Sequence, residues 1–293
     1  MGTKRVGLAR TEALIENLKR EINWGTNSSF VNAPALKKAA GGAGQQGETL
    51  IIIGKNGAAG NVTVDPFQES STQLFGFGTL LYYGDRIFRY TGIGGVAVTA
   101  GKLLQTSAAV PNHRDVAVQA AAAAGVTTIT VTLGATAATA NQYKDGYIHI
   151  NDDAGQGQFM RIKSNPAADA SATLTLTLYD KVVTALTTSS KADLIGALFN
   201  DVVVAPTAET GALVGVTAMD MTADYYGWVQ VSGPCSVLTS GTLVLGHPAV
   251  RSDTLAGAVE PGDHGTAGEN FTVGSVMVVN DDTDNSVINL NLL

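Results

Sequence analysis

Cysteine is all but missing from this sequence: 293 residues contain one, Cys235. A lone thiol excludes an intrachain disulfide framework and any cysteine-based zinc cluster. It stands in the strand-like run Val229-Gln-Val-Ser-Gly-Pro-Cys-Ser-Val237, where it reads as a small buried apolar residue. Aromatic residues make up 6% and charged residues 15%, the latter well below the ~25% of an average soluble protein. The four histidines (His113, His149, His247, His264) show no metal-ligand spacing. Long apolar runs are absent too. The longest uncharged stretch, 116–143, is Ala, Thr, Gln and Gly, too polar for a span that needs ~20 predominantly apolar residues. The basic start, residues 1–10, has no apolar segment behind it, so no signal peptide is expected. A soluble protein made inside a cell is the expectation, with no membrane partner.

What is there is small and hydroxyl-rich. Gly alone numbers 34, joined by Ala, Thr, Val, Ser and Asn, and 45% of residues are hydrophobic, enough for a real core. Disordered chains need low hydrophobicity and high net charge, which does not fit. A surface so poor in charge suits a protein packed against other proteins. The charge present is segregated. Residues 1–38 hold seven bases against three acids, a net of +4, whereas 201–293 hold eleven acids against Arg251 alone, a net of −10. A basic arm on an acidic body predicts docking onto something acidic, or head-to-tail contact between copies. No aromatic-and-basic stripe accompanies the arm, so nucleic acid is not expected as a partner.

One amphipathic helix is predicted. Thr11 can cap it, Glu12 lies in its first turn, and Leu14, Ile15, Leu18 and Ile22 share one face. Glu16 reaches Lys19 and Arg20 at i+3 and i+4. So short a helix is marginal alone, so its apolar face must dock on the body or on another copy. The interface candidates are Arg10, Leu14, Ile15, Leu18, Arg20 and Ile22. A small-residue linker covers 25–47. Beyond it come many short strand-like pieces between Gly, Asn, Asp and Pro, among them 49–53, 61–65, 74–83, 86–90, 95–98, 102–105, 127–133, 243–245 and 287–292. Alternation is cleanest in Leu174-Thr-Leu-Thr-Leu178 and Ile288-Asn-Leu-Asn-Leu292, the pattern of half-buried strands. A second, short helix is expected around 191–198. Residues 84–104 and 227–245 echo each other: aromatic-bearing strand, glycine corner, Val, then Gly-x-Leu. The expected fold class is therefore all-β, small β-barrel or sandwich domains with one short N-terminal helix on an extended arm. The expected organisation is an arm and linker (1–48), a split β domain (49–112 with 199–293) and an inserted β domain (113–198).

Chemistry-bearing motifs are weak. Gly42-Ala-Gly-Gln-Gln-Gly47 satisfies G-x-G-x-x-G, but a dinucleotide loop must follow a strand and open a helix, and here a strand follows instead. Asn151-Asp-Asp-Ala-Gly-Gln-Gly157 and Asn280-Asp-Asp-Thr-Asp-Asn285 are the best calcium candidates. Yet Asn and Asp are also what hairpin turns demand, and neither has the later Glu of an EF-hand loop. No Gly-x-Ser-x-Gly elbow occurs, and paired carboxylates lack an aromatic cleft for a sugar. Trp228 reads as a core anchor. No enzyme activity, cofactor, metal or small-molecule substrate is expected.

Several stretches resemble a known group. The opening Met1-Gly-Thr-Lys-Arg-Val-Gly-Leu-Ala-Arg-Thr-Glu-Ala-Leu-Ile-Glu-Asn-Leu-Lys-Arg-Glu-Ile22 is similar to starts of virion structural proteins of marine tailed bacteriophages. So are Gly84-Asp-Arg-Ile-Phe-Arg-Tyr90, Val131-Thr-Leu-Gly-Ala-Thr-Ala-Ala-Thr-Ala-Asn-Gln-Tyr143, Arg161-Ile-Lys-Ser-Asn-Pro-Ala-Ala-Asp-Ala-Ser171 and Pro206-Thr-Ala-Glu-Thr-Gly211. The C-terminal pattern of Trp228–Gly233, Gly241–Gly246, Gly257–Glu260 and Val273–Met277 resembles phage head-decoration domains. The resemblance implies a decoration or cement protein on the capsid surface, made in the host cytoplasm. Its partners would be the major capsid protein and neighbouring copies of itself in a homo-oligomer. A tail, neck or fibre-like component is the alternative. These stretches carry no catalytic or binding residue to transfer.

Overall fold

In the computed structural model the described residues are 52–53, 64–262 and 271–292. The predicted helix at roughly 11–23, the linker and the six arm candidates Arg10, Leu14, Ile15, Leu18, Arg20 and Ile22 lie outside them. What is described is nearly all β. Its one helical element is a 3-10 turn, Pro111–His113.

Two architectures share the chain. Six consecutive strands, β5 (Val116–Val118), β6 (Thr128–Thr132), β7 (Tyr147–Asp152), β8 (Phe159–Ser164), β9 (Thr173–Leu178) and β10 (Lys191–Ile195), close into an antiparallel barrel in the order β10-β5-β6-β9-β8-β7. Each strand alternates buried and exposed positions. One face of every strand therefore fills the interior, as a small barrel requires. Ile129, Ile148, Ile150, Ile162, Leu174, Leu176 and Leu186 are its largest fully buried side chains. Closure runs through β10, which pairs with β5 (Ala192↔Val116) and with β7 (Leu194↔Ile148). Residues 191–195 are thus a strand and not the expected helix. Ala192 and Leu194 alternate inward with period two, and two open edges were waiting for their backbone groups.

The stretches on either side of the barrel combine in one curled, eleven-stranded sheet. From before it come β1 (Ile52–Ile53), β2 (Leu80–Tyr83), β3 (Arg86–Gly92) and β4 (Leu103–Gln105). From after it come β11 (Val203–Val204), β12 (Leu213–Thr217), β13 (Tyr226–Leu238), β14 (Pro248–Arg251), β15 (Val259–Pro261), β16 (Thr272–Val278) and β17 (Asn285–Asn291). The main path is β1-β2-β3-β13-β17-β16-β14-β15, with β12, β4 and β11 branching from β13. The long β13 organises it. Its first half pairs with β3 (Trp228↔Tyr90), its second with β17 (Cys235↔Ile288). At the hand-over the register shifts between Gln230 and Ser232. There the Gln230 side chain donates to the carbonyls of Ser232, Gly233 and Pro234. Gly233 has φ 86°, and a Cβ there would lie 2.4 Å from the Asp85 carbonyl; only glycine fits. The two segments that echo each other in sequence thus meet in space as paired strands.

Both faces of β13 are covered. Trp228 joins Leu81, Phe88 and Tyr90 in an aromatic cluster, while Val229 packs with Ile93, Leu104 and Val214. Cys235 and Val237 enter a third cluster with Ile288 and Leu290.

Three nested bridges recur through both regions: Val98↔Met221, Ala122↔Leu186 and Ala138↔Ala168. Each is closed by two reciprocal backbone hydrogen bonds of 2.8–3.1 Å. Three residues after five of these six positions the backbone is left-handed, at Gly101, Gly125, Asn141, Ser171 and Asp224. Gly, Asn and Asp tolerate that conformation best, and it swings the chain from the bridge into the next strand.

Candidate interaction surfaces

The sequence expected function in surfaces, and the described residues carry four places to weigh. The first is an apolar strip at one end of the sheet. The loop 241–247 runs alongside the end of β16: the Gly246 N–H donates to the Val276 carbonyl (2.9 Å), and the Val276 N–H to the His247 carbonyl (2.9 Å). A register shift between Val276 and Val278 makes Met277 an extra residue opposite β17, and such a bulge breaks the in–out alternation. Met277, Val278 and Val279 are consequently 46%, 47% and 37% exposed, and Val244 and Leu245 48% and 65%. The expected strand at 243–245 is absent; Leu243 alone turns into the core.

Beside this strip lies the acidic turn 280–285 between β16 and β17. Asp281, Asp282 and Asp284 are all exposed. The Asp282 carboxylate accepts the Gly241 N–H (2.6 Å), Asn280 donates to the Asn285 carbonyl (2.6 Å), and Thr283 adopts φ 68°. These are the contacts of turn chemistry. The 151–157 turn is built likewise: Asp152 and Asp153 accept the next residue's N–H, and Gly155 and Gly157 have positive φ. Among the described residues no group of three His, Cys, Asp or Glu could hold a metal ion.

The third place is the outer face of the barrel across β10, β7 and β8. Tyr147 stacks on Phe159 (4.5 Å between centroids), His149 approaches Asp193 (3.3 Å), and Arg161 pairs with Asp145 (3.0 Å) while lying over Tyr179. The fourth is a concavity of about 380 Å³ between Glu209, Leu213, Arg251, Phe271 and Leu292. Arg251, the one base of the C-terminal third, is buried there. It donates to the Ala208 carbonyl and pairs with Glu209 at 3.5 Å.

Other residues singled out by sequence are structural. Trp228 is buried against Tyr90 (5.1 Å) and Phe75 (5.4 Å). Cys235 is buried, and burial pushes its thiol up to about 12, so it is a thiol and not a thiolate near neutral pH. His113 is a satisfied core histidine: one ring nitrogen bonds the Tyr143 hydroxyl, the other the Thr136 carbonyl. Burial raises the Tyr143 pKa above its ordinary value. The apolar strip had a partial signal in sequence, the run Val276-Met-Val-Val279 before three aspartates; its exposure depends on the bulge.

No protein-family model, curated protein or solved structure matches the chain.

Proposed function

We propose that this chain is a structural protein of a tailed-phage particle that binds the outside of the capsid as a decoration or cement protein, without enzymatic activity or cofactor. The observation that carries the reading is the exposed apolar strip Val244, Leu245 and Met277–Val279 beside three exposed aspartates, on a chain whose first 38 residues are basic. Exposed apolar side chains grouped on neighbouring segments are a feature of surfaces that contact another protein. The low overall charge and the stretches resembling virion proteins point the same way. In this reading the arm (Arg10, Leu14, Ile15, Leu18, Arg20, Ile22) is a clasp, and binding only the assembled shell stabilises that shell by linkage. Many copies, each bound weakly, act together through multivalency.

The test is co-sedimentation with undecorated capsids. The full chain should saturate the shell at a copy number set by the capsid lattice, and Leu18→Asp should weaken binding by roughly tenfold or more, since one buried Leu contributes ~1.5–3 kcal/mol. A stoichiometry fixed by a single ring would instead mean a tail or neck component. Unchanged affinity for the variant would remove the arm from the interface.

A further inference from the structure

We propose that the apolar strip of Val244, Leu245, Met277, Val278 and Val279 is the docking site for the basic N-terminal arm of a neighbouring copy of this chain. Fifteen large apolar side chains are exposed among the described residues. Five of them lie on two segments held side by side here: the loop 241–247 is hydrogen-bonded to Val276 at one end and to Asp282 at the other, and the bulge at Met277 turns consecutive side chains outward. The site has a second component. Asp281, Asp282 and Asp284 stand exposed at its end, and the stretch 201–293 that contains it has a single base, Arg251, which is buried in its own contacts elsewhere. A partner for such a surface needs an apolar stripe with positive charge beside it.

The arm has that chemistry. Its sequence sets Leu14, Ile15, Leu18 and Ile22 at helical spacing and flanks them with Arg10, Lys19 and Arg20. Docked apolar to apolar, it brings its cations to the aspartate turn, and opposite charges at the rim fix orientation and speed encounter. The arm precedes β1, separated from it in sequence by the 23 small-residue positions 25–47, and a Gly-rich segment of that length has an end-to-end distance of roughly 25–30 Å. Repeated from copy to copy, this contact is head-to-tail, a heterologous interface that closes into a ring or continues as a lattice.

Docking of this kind rests on the arm acting as a clasp. It is tested on the purified full-length chain without capsids, so failure to bind a shell and failure to dock are told apart. The chain carries Leu14→Cys and Val278→Cys, while buried Cys235 stays unreactive. Mild oxidation should give a disulfide-linked species of two or more chains. Its yield should fall roughly tenfold in 1 M salt, where the screening length is ~3 Å, and by a similar factor when Leu18→Asp and Ile22→Asp are added. As an independent readout, maleimide labelling of Val278→Cys alone should quicken with protein dilution or on adding Leu18→Asp. No cross-link, a cross-link confined to single chains, or labelling indifferent to both dilution and Leu18→Asp overturns the proposal.

Discussion

The barrel and the large sheet bury their apolar residues in different ways. Every barrel strand offers one face to a single interior, and the first strand pairs with the last (Lys191↔Ala117), so no edge is left. The sheet draws strands from both sides of the barrel segment, and among the described residues its main path runs from β1 to β15 without the closure seen in the barrel. It spreads its core over three clusters, and β13 serves all three. A barrel made from one continuous segment can satisfy itself. The sheet cannot form until 64–105 meets 202–292, and loop closure of that length must be offset by the contacts it permits.

The strongest way to break this contrast is excision. Residues 113–198 replaced by a short Gly/Ser linker should leave a sheet that unfolds cooperatively in denaturant. Entry to and exit from the barrel are adjacent, with the Asp115 N–H donating to the Asp193 carboxylate at 2.9 Å. A broad, non-cooperative transition would show that the sheet depends on the barrel.

Next in size are paired core truncations. Trp228→Ala should cost ~3–5 kcal/mol and Leu176→Ala ~2–5 kcal/mol. Cys235 reports on the sheet alone, being the chain's one thiol and buried there. Trp228→Ala should therefore speed its labelling by roughly 100-fold or more at ~1.4 kcal/mol per tenfold, whereas Leu176→Ala should leave the rate nearly unchanged. Equal acceleration by both would make barrel and sheet one cooperative unit.

The smallest effect sharpens the picture of how the two halves of the sheet are joined. Buried Thr217 donates its hydroxyl to the Thr99 carbonyl (2.7 Å) and accepts the Lys102 N–H (3.1 Å), linking chain before the barrel to chain after it. Thr217→Val should cost ~1–3 kcal/mol by leaving buried groups unpaired. Thermal unfolding followed by Cys235 exposure measures it; a loss confined to the barrel would contradict the assignment.

Much of the strand content was legible because period-two alternation is local. Leu174, Leu176 and Leu178 point inward from β9, and Ile288 and Leu290 from β17, as their spacing predicted. The alternation of Ala192 and Leu194 was short enough to pass for a helix end, and pairing with both β5 and β7 decided it. Strands β14 and β15 hold four and three residues' worth of signal at most and begin or end in proline, so composition hid them. Leu243–Leu245 has strand-forming residues but gains no ladder partner. Of the candidate surface, the basic arm and the aspartate turn were readable as charge. The apolar strip was not, since a continuous Val-Met-Val-Val run reads equally as buried strand.

By itself, then, the sequence determined the all-β character, the alternating faces of its clearest strands, and the segregation of charge between arm and C-terminal third. Composition, spacing and charge are local quantities that need no partner to be read. Tertiary structure alone decided that β10 closes a barrel, that β13 is shared between β3 and β17, and that Met277–Val279 face outward. Each of those depends on which distant backbone supplies the next hydrogen bond, and a bulge of one residue is enough to reverse which side chains are buried.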